Sequence, residues 1–367
     1  MKEKKTPLYY GDYLQLDRIL NSQEPESLKQ TGQLAHDEML FIVVHQAYEL
    51  WFKQILFELD SVLEIFGRDV VDEKDMGTAV ARLRRVIEIQ KLLIEQVGIL
   101  ETMTPLDFLD FRHLLAPASG FQSYQFRLLE NKLGLQPSQR KLFDKTHYHE
   151  HLSEAHQELV RQSEEAPSLF DLVERWLERT PFLDFGGFNF WENYRAAVQR
   201  MLERDKDFVR KNPSMSEEEK AAQLEEFAKT EKSFAAIFDE AEHERLRRKG
   251  FRRLSHRAMQ AALLIHLYRD EPILHLPFAF LTALVDIDEL LTAWRHRHAL
   301  MVQRMIGSKV GTGGSSGHHY LRVVAESHKV FTDLTNLSTF LIPRSELPEL
   351  PEELRRNLGF YYSKQET

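Results

Sequence analysis

Apolar residues recur along this chain at steps of three and four, and no segment alternates convincingly between apolar and polar. The pattern therefore predicts helices throughout and an all-α fold, a buried helical bundle. The strongest segment runs from His36 to Phe66. Leu40, Val44, Ala47, Trp51, Ile55, Leu59, Val62 and Phe66 form one stripe, and Phe41, His45, Tyr48 and Phe52 form a second row beside it. A helix apolar over most of its circumference is expected at the buried centre of the bundle. Lys74 to Val97 reads as the next helix. Thr104 can cap another from Pro105 to Leu115, with Pro105 at its first position and Asp107 in its first turn.

Helical spacing resumes over Gln122 to Gly134, Asp144 to Gln162 and Leu169 to Leu177, and is strong over Leu254 to Leu267 and Phe278 to Met305. In the last of these, Leu284, Ile287, Leu291, Trp294, His298, Met301 and Met305 share one face. Gly307 breaks it, the small residues of Gly311-Thr312-Gly313-Gly314-Ser315-Ser316-Gly317 form a loop, and Tyr320 to Leu334 continues as helix. The stretch from residue 192 to 250 is richly charged, with one clear turn at Asn212-Pro213-Ser214, and reads as an exposed helical hairpin. Phe182 to Trp191 reads as irregular chain over the core, and the Pro- and Glu-rich segment from Ile342 as a surface wrap. With no sharper boundary than the hairpin, residues 1–367 read as a single domain with a hairpin insertion and an N-terminal arm at 1–20.

Composition narrows the function. A net charge of −9 gives no reason to expect a nucleic-acid surface. Cysteine is absent, which excludes disulfides, thiolate ligands and cysteine nucleophiles, and fits a reducing compartment. No apolar run approaches the roughly 20 residues needed to span a bilayer, and the lysines at the N-terminus precede no apolar core. The expectation is a cytoplasmic protein without membrane or nucleic-acid partners. Any metal must be held by nitrogen or oxygen, or arrive inside a macrocycle.

Several familiar chemistries fail on spacing. The glycine loop lacks the Lys-Ser/Thr ending of a phosphate-binding loop, and Ser316 stands where a dinucleotide fingerprint needs its third glycine. A di-iron carboxylate bundle needs two Glu-x-x-His pairs; only Glu240 to His243 fits, in the charged hairpin. His147, His149 and His151 would spread around a helix rather than converge. What remains is His45 and His298 on two apolar helices, with Arg112 beside Phe108 and Leu115. Two such helices can sandwich a flat haem, one imidazole on the iron and one over the opposite face, while Arg112 clamps a carboxylate. A pair of packed core histidines accounts for the same pattern.

Longer matches bear on that choice. YGDYLQLDRIL, HDEMLFIVVHQAYELWFKQILFELDSV, LETMTPLDFLDFRHLLAPASGFQSYQFRLLENKLG, GFNFWENY, DIDELLTAWRHRHALMVQRMIGSKVGTGGSSG and VFTDLTNLSTFLIPR follow one another in order. On these segments the chain resembles the tryptophan 2,3-dioxygenase family over nearly its whole length; the charged hairpin matches only in character. The resemblance implies haem b, ferrous in the active state, with O2 as co-substrate and L-tryptophan converted to N-formyl-L-kynurenine, the first step of the kynurenine pathway. It implies His298 in WRHRH, beside Trp294, as the axial ligand and His45 as the distal histidine that positions the indole N–H. Arg112 falls on the carboxylate clamp, Phe41, Phe108 and Leu115 on the indole slot, Thr312 on the hydroxyl that meets the ammonium, and Ser119 and Arg127 near the haem edge. Tyr10 and Tyr13 match aromatics that reach into a neighbouring subunit's pocket in a homotetramer. Gln303 and His318 depart from the family pattern at positions other than these site residues. A haem enzyme of the same architecture acting on another indole, and a non-catalytic haem-based sensor of gas or tryptophan, are the other readings.

Overall fold

The computed structural model describes residues 7–140, 152–181, 183–307, 309 and 317–359. Three short helices, Tyr10–Leu14 (α1), Leu16–Leu20 (α2) and Glu26–Thr31 (α3), lead into His36–Phe66 (α4), Glu73–Leu100 (α5) and Pro105–Arg112 (α6). Tyr124–Leu133 (α7), Glu154–Glu165 (α8) and Leu169–Glu178 (α9) follow, then two strands, Asp184–Phe185 (β1) and Phe188–Asn189 (β2). The charged region forms Phe190–Lys211 (α10), Glu217–Phe238 (α11) and Glu240–Arg248 (α12). His256–Leu267 (α13), Pro272–Ile306 (α14), Gly317–Ser327 (α15), Thr332–Asn336 (α16) and Glu352–Leu358 (α17) complete an all-α architecture. Among the described residues no helix is long and apolar enough to cross a membrane.

The organising helix is α5. Both α4 and α14 lie along it, and they touch each other through rings, Phe66 on Phe280 and Tyr48 and Phe52 against Trp294. Apolar packing is reinforced by polar groups that reach across. On α5, the Gln90 amide donates to the Ile287 carbonyl of α14 at 3.3 Å, and the Gln96 amide to the Val44 carbonyl of α4 at 3.2 Å. Tyr48 on α4 returns a hydrogen bond to the Leu93 carbonyl at 2.7 Å. All three lie in the interior, where an unmade bond would cost about 1–3 kcal/mol, so they fix the register of the three helices.

The predicted start of α6 is met in detail. Thr104 Oγ1 accepts from the Asp107 amide while Asp107 accepts from the Thr104 amide, a reciprocal cap behind Pro105. Elsewhere the structure departs from the sequence pattern for identifiable reasons. The helix α4 is buried along one side only, and Met39, Val43, Leu50 and Phe57 leave an apolar stripe on its outer face. The expected break before Phe278 does not occur, since α14 starts at Pro272 and carries Pro277 within it. The helix expected from Tyr320 to Leu334 is interrupted after Ser327, because the buried Asp288 carboxylate of α14 accepts the Val330 and Phe331 amides at 3.0 Å. Gly186 and Gly187, both at positive φ, close the β1–β2 hairpin within the stretch expected to be irregular.

Two regions expected outside the core enter it. Phe190, Tyr194, Val198 and Leu202 of α10 and Phe234 and Ile237 of α11 belong to the main core, so the charged hairpin is rooted there and exposes its outer face. His243, within the Glu-x-x-His run, is 1% exposed and pairs through Nε2 with the Leu254 carbonyl at 2.9 Å. The C-terminal segment also inserts Ile342, Leu350, Leu354 and Leu358 into the core. His147, His149 and His151 lie outside the described residues.

Gly134 ends α7 at φ +115°, and a Cβ there would stand 2.7 Å from Phe170 Cβ and 2.8 Å from Ser168 Oγ. Gly134→Ala should lower stability by about 2–4 kcal/mol through backbone strain and overlap. Gly98, inside α5 with open space around its Cα, is the control: Gly98→Ala should raise stability by about 0.5–1 kcal/mol. Urea midpoints of the two variants moving in the same direction would contradict this account.

Candidate functional site

Beside the C-terminal turns of α5, where Val97 and Leu100, with Met103 just after them, form a small apolar floor, a cavity of about 300 Å³ lies between α4 and α14. The helices that line it bring predicted residues together from four places in the chain. Phe41 and His45 come from α4, Phe108 and Arg112 from α6, Ser119 and Arg127 from around α7, and Trp294 and His298 from α14. Leu115 does not line the cavity; it packs half-buried on the apolar floor just past the end of α6. Tyr10 and Tyr13 are 69% and 68% exposed and stand away from this chain's own cavity. Thr312 lies outside the described residues.

One part of the cavity is an aromatic slot. Phe41 and Phe108 are stacked with centroids 5.6 Å apart, and Phe111 meets Phe108 edge-on at 5.5 Å. Beside them the Nδ1 atom of His45 lies 2.7 Å from the Phe41 carbonyl oxygen. A carbonyl only accepts, so the proton sits on Nδ1 and Nε2 keeps its lone pair for a ligand. His45 borders the open space of the cavity, but protein encloses its other sides. That burial pulls its pKa below the ordinary histidine value, against the Phe41 carbonyl and Glu49, which favour the charged form.

His298 stands on α14 with its ring parallel to Trp294, 5.2 Å away at an angle of 4°. Tyr48, Phe52 and Phe126 pack around that indole and fix the pair. Burial, with a smaller contribution from His45, lowers the pKa of His298 to about 4. The imidazole is therefore neutral at neutral pH, and among the described residues no hydrogen bond offsets its desolvation. A neutral imidazole on an apolar wall is a good nitrogen donor to a metal. Among the described residues no group of three or more His, Asp or Glu side chains converges to hold a bare ion. A metal carried in a macrocycle, as haem iron is, brings its remaining donors with it, and the flat aromatic surroundings suit such a group.

The sequence pattern missed a charged stretch of this wall. Glu130, 1% exposed, lines the cavity with Arg127 and Arg295 and pairs with both, at 3.0 and 2.9 Å. Arg140 reaches it from behind at 2.6 Å. Glu130 follows Arg127 by three residues and Arg295 precedes His298 by three, so helical spacing from the predicted residues was the available signal.

The sequence profile described as Tryptophan 2,3-dioxygenase matches residues 1–341. The chain belongs to the tryptophan 2,3-dioxygenase family. It is 54% identical over 359 residues to the Tryptophan 2,3-dioxygenase of Bdellovibrio bacteriovorus, covering 98% of this chain and 100% of that one. The Dictyostelium discoideum family member is 50% identical over 97% of this chain and 89% of its own. The Mus musculus member is 52% identical over 95% and 86% respectively.

The electrostatics of His298 can be tested without a ligand. Its folded pKa lies below the ordinary 6.5, so the unfolded chain takes up the proton first as pH falls. Stability is fully present above about 6.5 and declines towards pH 4, by at most about 3 kcal/mol and by less where cavity water reaches the ring. In haem-free protein, His298→Leu should therefore lose less stability than the parent between pH 7.5 and 5, read from urea midpoints. Parallel losses would show that the ring is not held neutral by burial.

Proposed function

We propose that the chain is a haem-dependent dioxygenase converting L-tryptophan and O2 to N-formyl-L-kynurenine. The observation that carries this reading is a neutral imidazole, His298, stacked on Trp294 and facing an aromatic slot rimmed by Arg112, in a chain of this family. Family members are haem-dependent and use O2. Bound between α4 and α14, haem b in its ferrous state would supply the dioxygen activation that no side chain here can perform.

The residues around it bind and orient. His298 would hold the iron, with Trp294 locking the plane of its ring. Ser119 and Arg127 face the cofactor edge. Arg112 grips the substrate carboxylate, Thr312 meets the ammonium, and Phe41 and Phe108 hold the indole, with Leu115 supporting the slot from its floor. His45 accepts the indole N–H at Nε2, which its bond to the Phe41 carbonyl leaves available. Positioning is the main contribution of such a pocket, because the indole C2–C3 bond is already electron-rich and needs only to be brought close and kept dry.

The same reading extends to a homotetramer in which the N-terminal arm completes a neighbour's pocket. Leu8, Tyr9, Tyr10 and Tyr13 are each about 70% exposed in the isolated chain, and the outer face of α4 adds a second apolar surface. Aromatics so exposed on short helices gain little from their own chain. Burial against another copy would supply the missing packing.

The deciding experiment is an absorption spectrum of haem-loaded protein with and without L-tryptophan under air, followed by detection of the formylated product. Turnover supports the dioxygenase; a spectral shift without product would make the protein a sensor. In the same assay Arg112→Leu should lose about 2–5 kcal/mol of transition-state binding, several decades in kcat/KM. It should handle indoles without a carboxylate nearly as well as the parent does, and a surviving strong preference for L-tryptophan would remove Arg112 from the clamp.

His45 separates two mechanisms. A general base would be worth roughly 10²–10⁴-fold, whereas a hydrogen-bond acceptor contributes nearer 1 kcal/mol. Indole N–H is far too weak an acid for a neutral imidazole to deprotonate. His45→Ser should therefore keep haem and lose no more than about tenfold in kcat/KM. A loss near 10⁴ at every pH, with haem and tryptophan binding intact, would restore the base.

A further inference from the structure

Sulfur is unevenly placed in this chain. Cysteine is absent and methionine occurs nine times, so thioethers are the only sulfur groups. Three of them, Met103, Met301 and Met305, line the cavity between α4 and α14. Met301 and Met305 lie one and two turns past His298 on α14, and Met103 follows the end of α5. All three are buried in one small apolar cluster with Val44, Val97, Leu100 and Phe111. Met76 and Met259 are buried as deeply, but in the main core and without lining the cavity. Met39 is exposed on the outer face of α4.

Packing alone does not call for thioethers at this position. Leucine would fill an apolar floor with a better-defined shape, whereas methionine is flexible and polarizable. Methionine is also oxidisable, and its oxidation follows access of the oxidant to sulfur. Protein encloses these three side chains on the solvent side, while the cavity borders them on the other. An oxidant in bulk water therefore meets Met39 before it meets them. An oxidant activated inside the cavity meets them first.

We infer that Met103, Met301 and Met305 are sites of sulfoxide formation, Met301 first, when peroxide reaches a cofactor-loaded cavity that holds no substrate. The inference rests on the haem reading above. In the step, the O–O bond of hydrogen peroxide breaks and one oxygen atom bonds to the thioether sulfur. The other oxygen keeps both peroxide protons and leaves as water. Sulfur gives up two electrons and peroxide takes up two, so no further oxidant or reductant is needed. Iron at His298 speeds the cleavage and ends unchanged. Met301 leads because it shares a face of α14 with His298, about 4.5 Å further along the helix axis. The product is polar, and the cluster of Val44, Val97, Leu100 and Phe111 side chains offers its oxygen no donor. Burying an unpaired polar group is costly, so the floor loosens and holds the cofactor less firmly. Substrate in the aromatic slot denies peroxide the same space.

The test adds a small excess of hydrogen peroxide to haem-loaded protein, to haem-free protein, and to protein loaded with zinc protoporphyrin, which fills the cavity without iron. Peptide mass spectrometry then locates the added oxygen. In haem-loaded protein it should appear on Met301 first, then on Met305 and Met103, ahead of Met39 and at least about tenfold faster than in haem-free protein. With zinc protoporphyrin Met39 should lead. Met76 and Met259 should stay unmodified throughout, which separates access through the cavity from general unfolding. After peroxide is removed, haem release to an acceptor apoprotein should be at least about threefold faster than before treatment, and Met301→Leu, a volume-conserving change, should blunt that increase. If Met301→Leu does not hold haem, the order of oxidation in the parent decides alone. Met39 oxidised first in haem-loaded protein, equal rates with iron and zinc, or oxygen on Trp294 instead of the thioethers overturns this inference alone. A parent protein that takes up no haem overturns the reading beneath it.

Discussion

The cavity depends on how α5 seats α4 and α14. Those two long helices carry the two imidazoles, and each packs along α5. Their seating is set by packing along α5 and by Gln90 and Gln96, whose amides reach the Ile287 and Val44 carbonyls. Both amides are buried, so shifting either helix by a residue would strand a polar group away from water. The cavity opens beside the last turns of α5, where Val97 and Leu100 line it.

Much of this was legible in the sequence because it is local. The bounds of α4, the cap at Thr104 and Asp107, and the placing of His45 and His298 on apolar faces follow from periodicity and end signals within a few residues. What stayed hidden depends on partners far away in the chain. The break at 328–331 is dictated by Asp288, about forty residues earlier, and no local signal competes with the helical pattern there. The roots of α10 and α11 are masked by surrounding charge, since Phe190, Tyr194, Val198 and Leu202 make a narrow stripe in a richly charged stretch. Arg295 is hidden in the basic run WRHRH, where nothing local separates a buried guanidinium from the exposed Arg297. Leu115, placed in the indole slot by the family pattern, packs beneath it because α6 ends at Arg112.

The two histidines have similar surroundings and different prospects. Both are neutral because burial disfavours their charge, and His45 adds to the cost of protonating His298 across the cavity. His45 spends its one N–H on the Phe41 carbonyl and so becomes an acceptor, tied to the turn that also carries the Phe41 ring. His298 has no such bond among the described residues and is fixed by stacking on Trp294, so its donor capacity stays uncommitted. Orientation by a hydrogen bond suits a group that contacts a substrate. Orientation by stacking leaves both nitrogens free of competing partners, which suits an axial ligand.

Polarity within the cavity is also divided. Phe41 and Phe108 form a wall with no charge to offer, while Arg127, Glu130 and Arg295 form one whose charges are held by each other. A guest with a flat apolar body and anionic edges satisfies both walls in one orientation and offends them when turned over. Haem has that asymmetry, and so does an amino acid with an aromatic side chain. The charged wall would be costly to leave facing an apolar ligand, since guanidiniums drawn out of water need charge nearby. Selectivity for orientation thus follows from where the buried charge lies, without a steric gate.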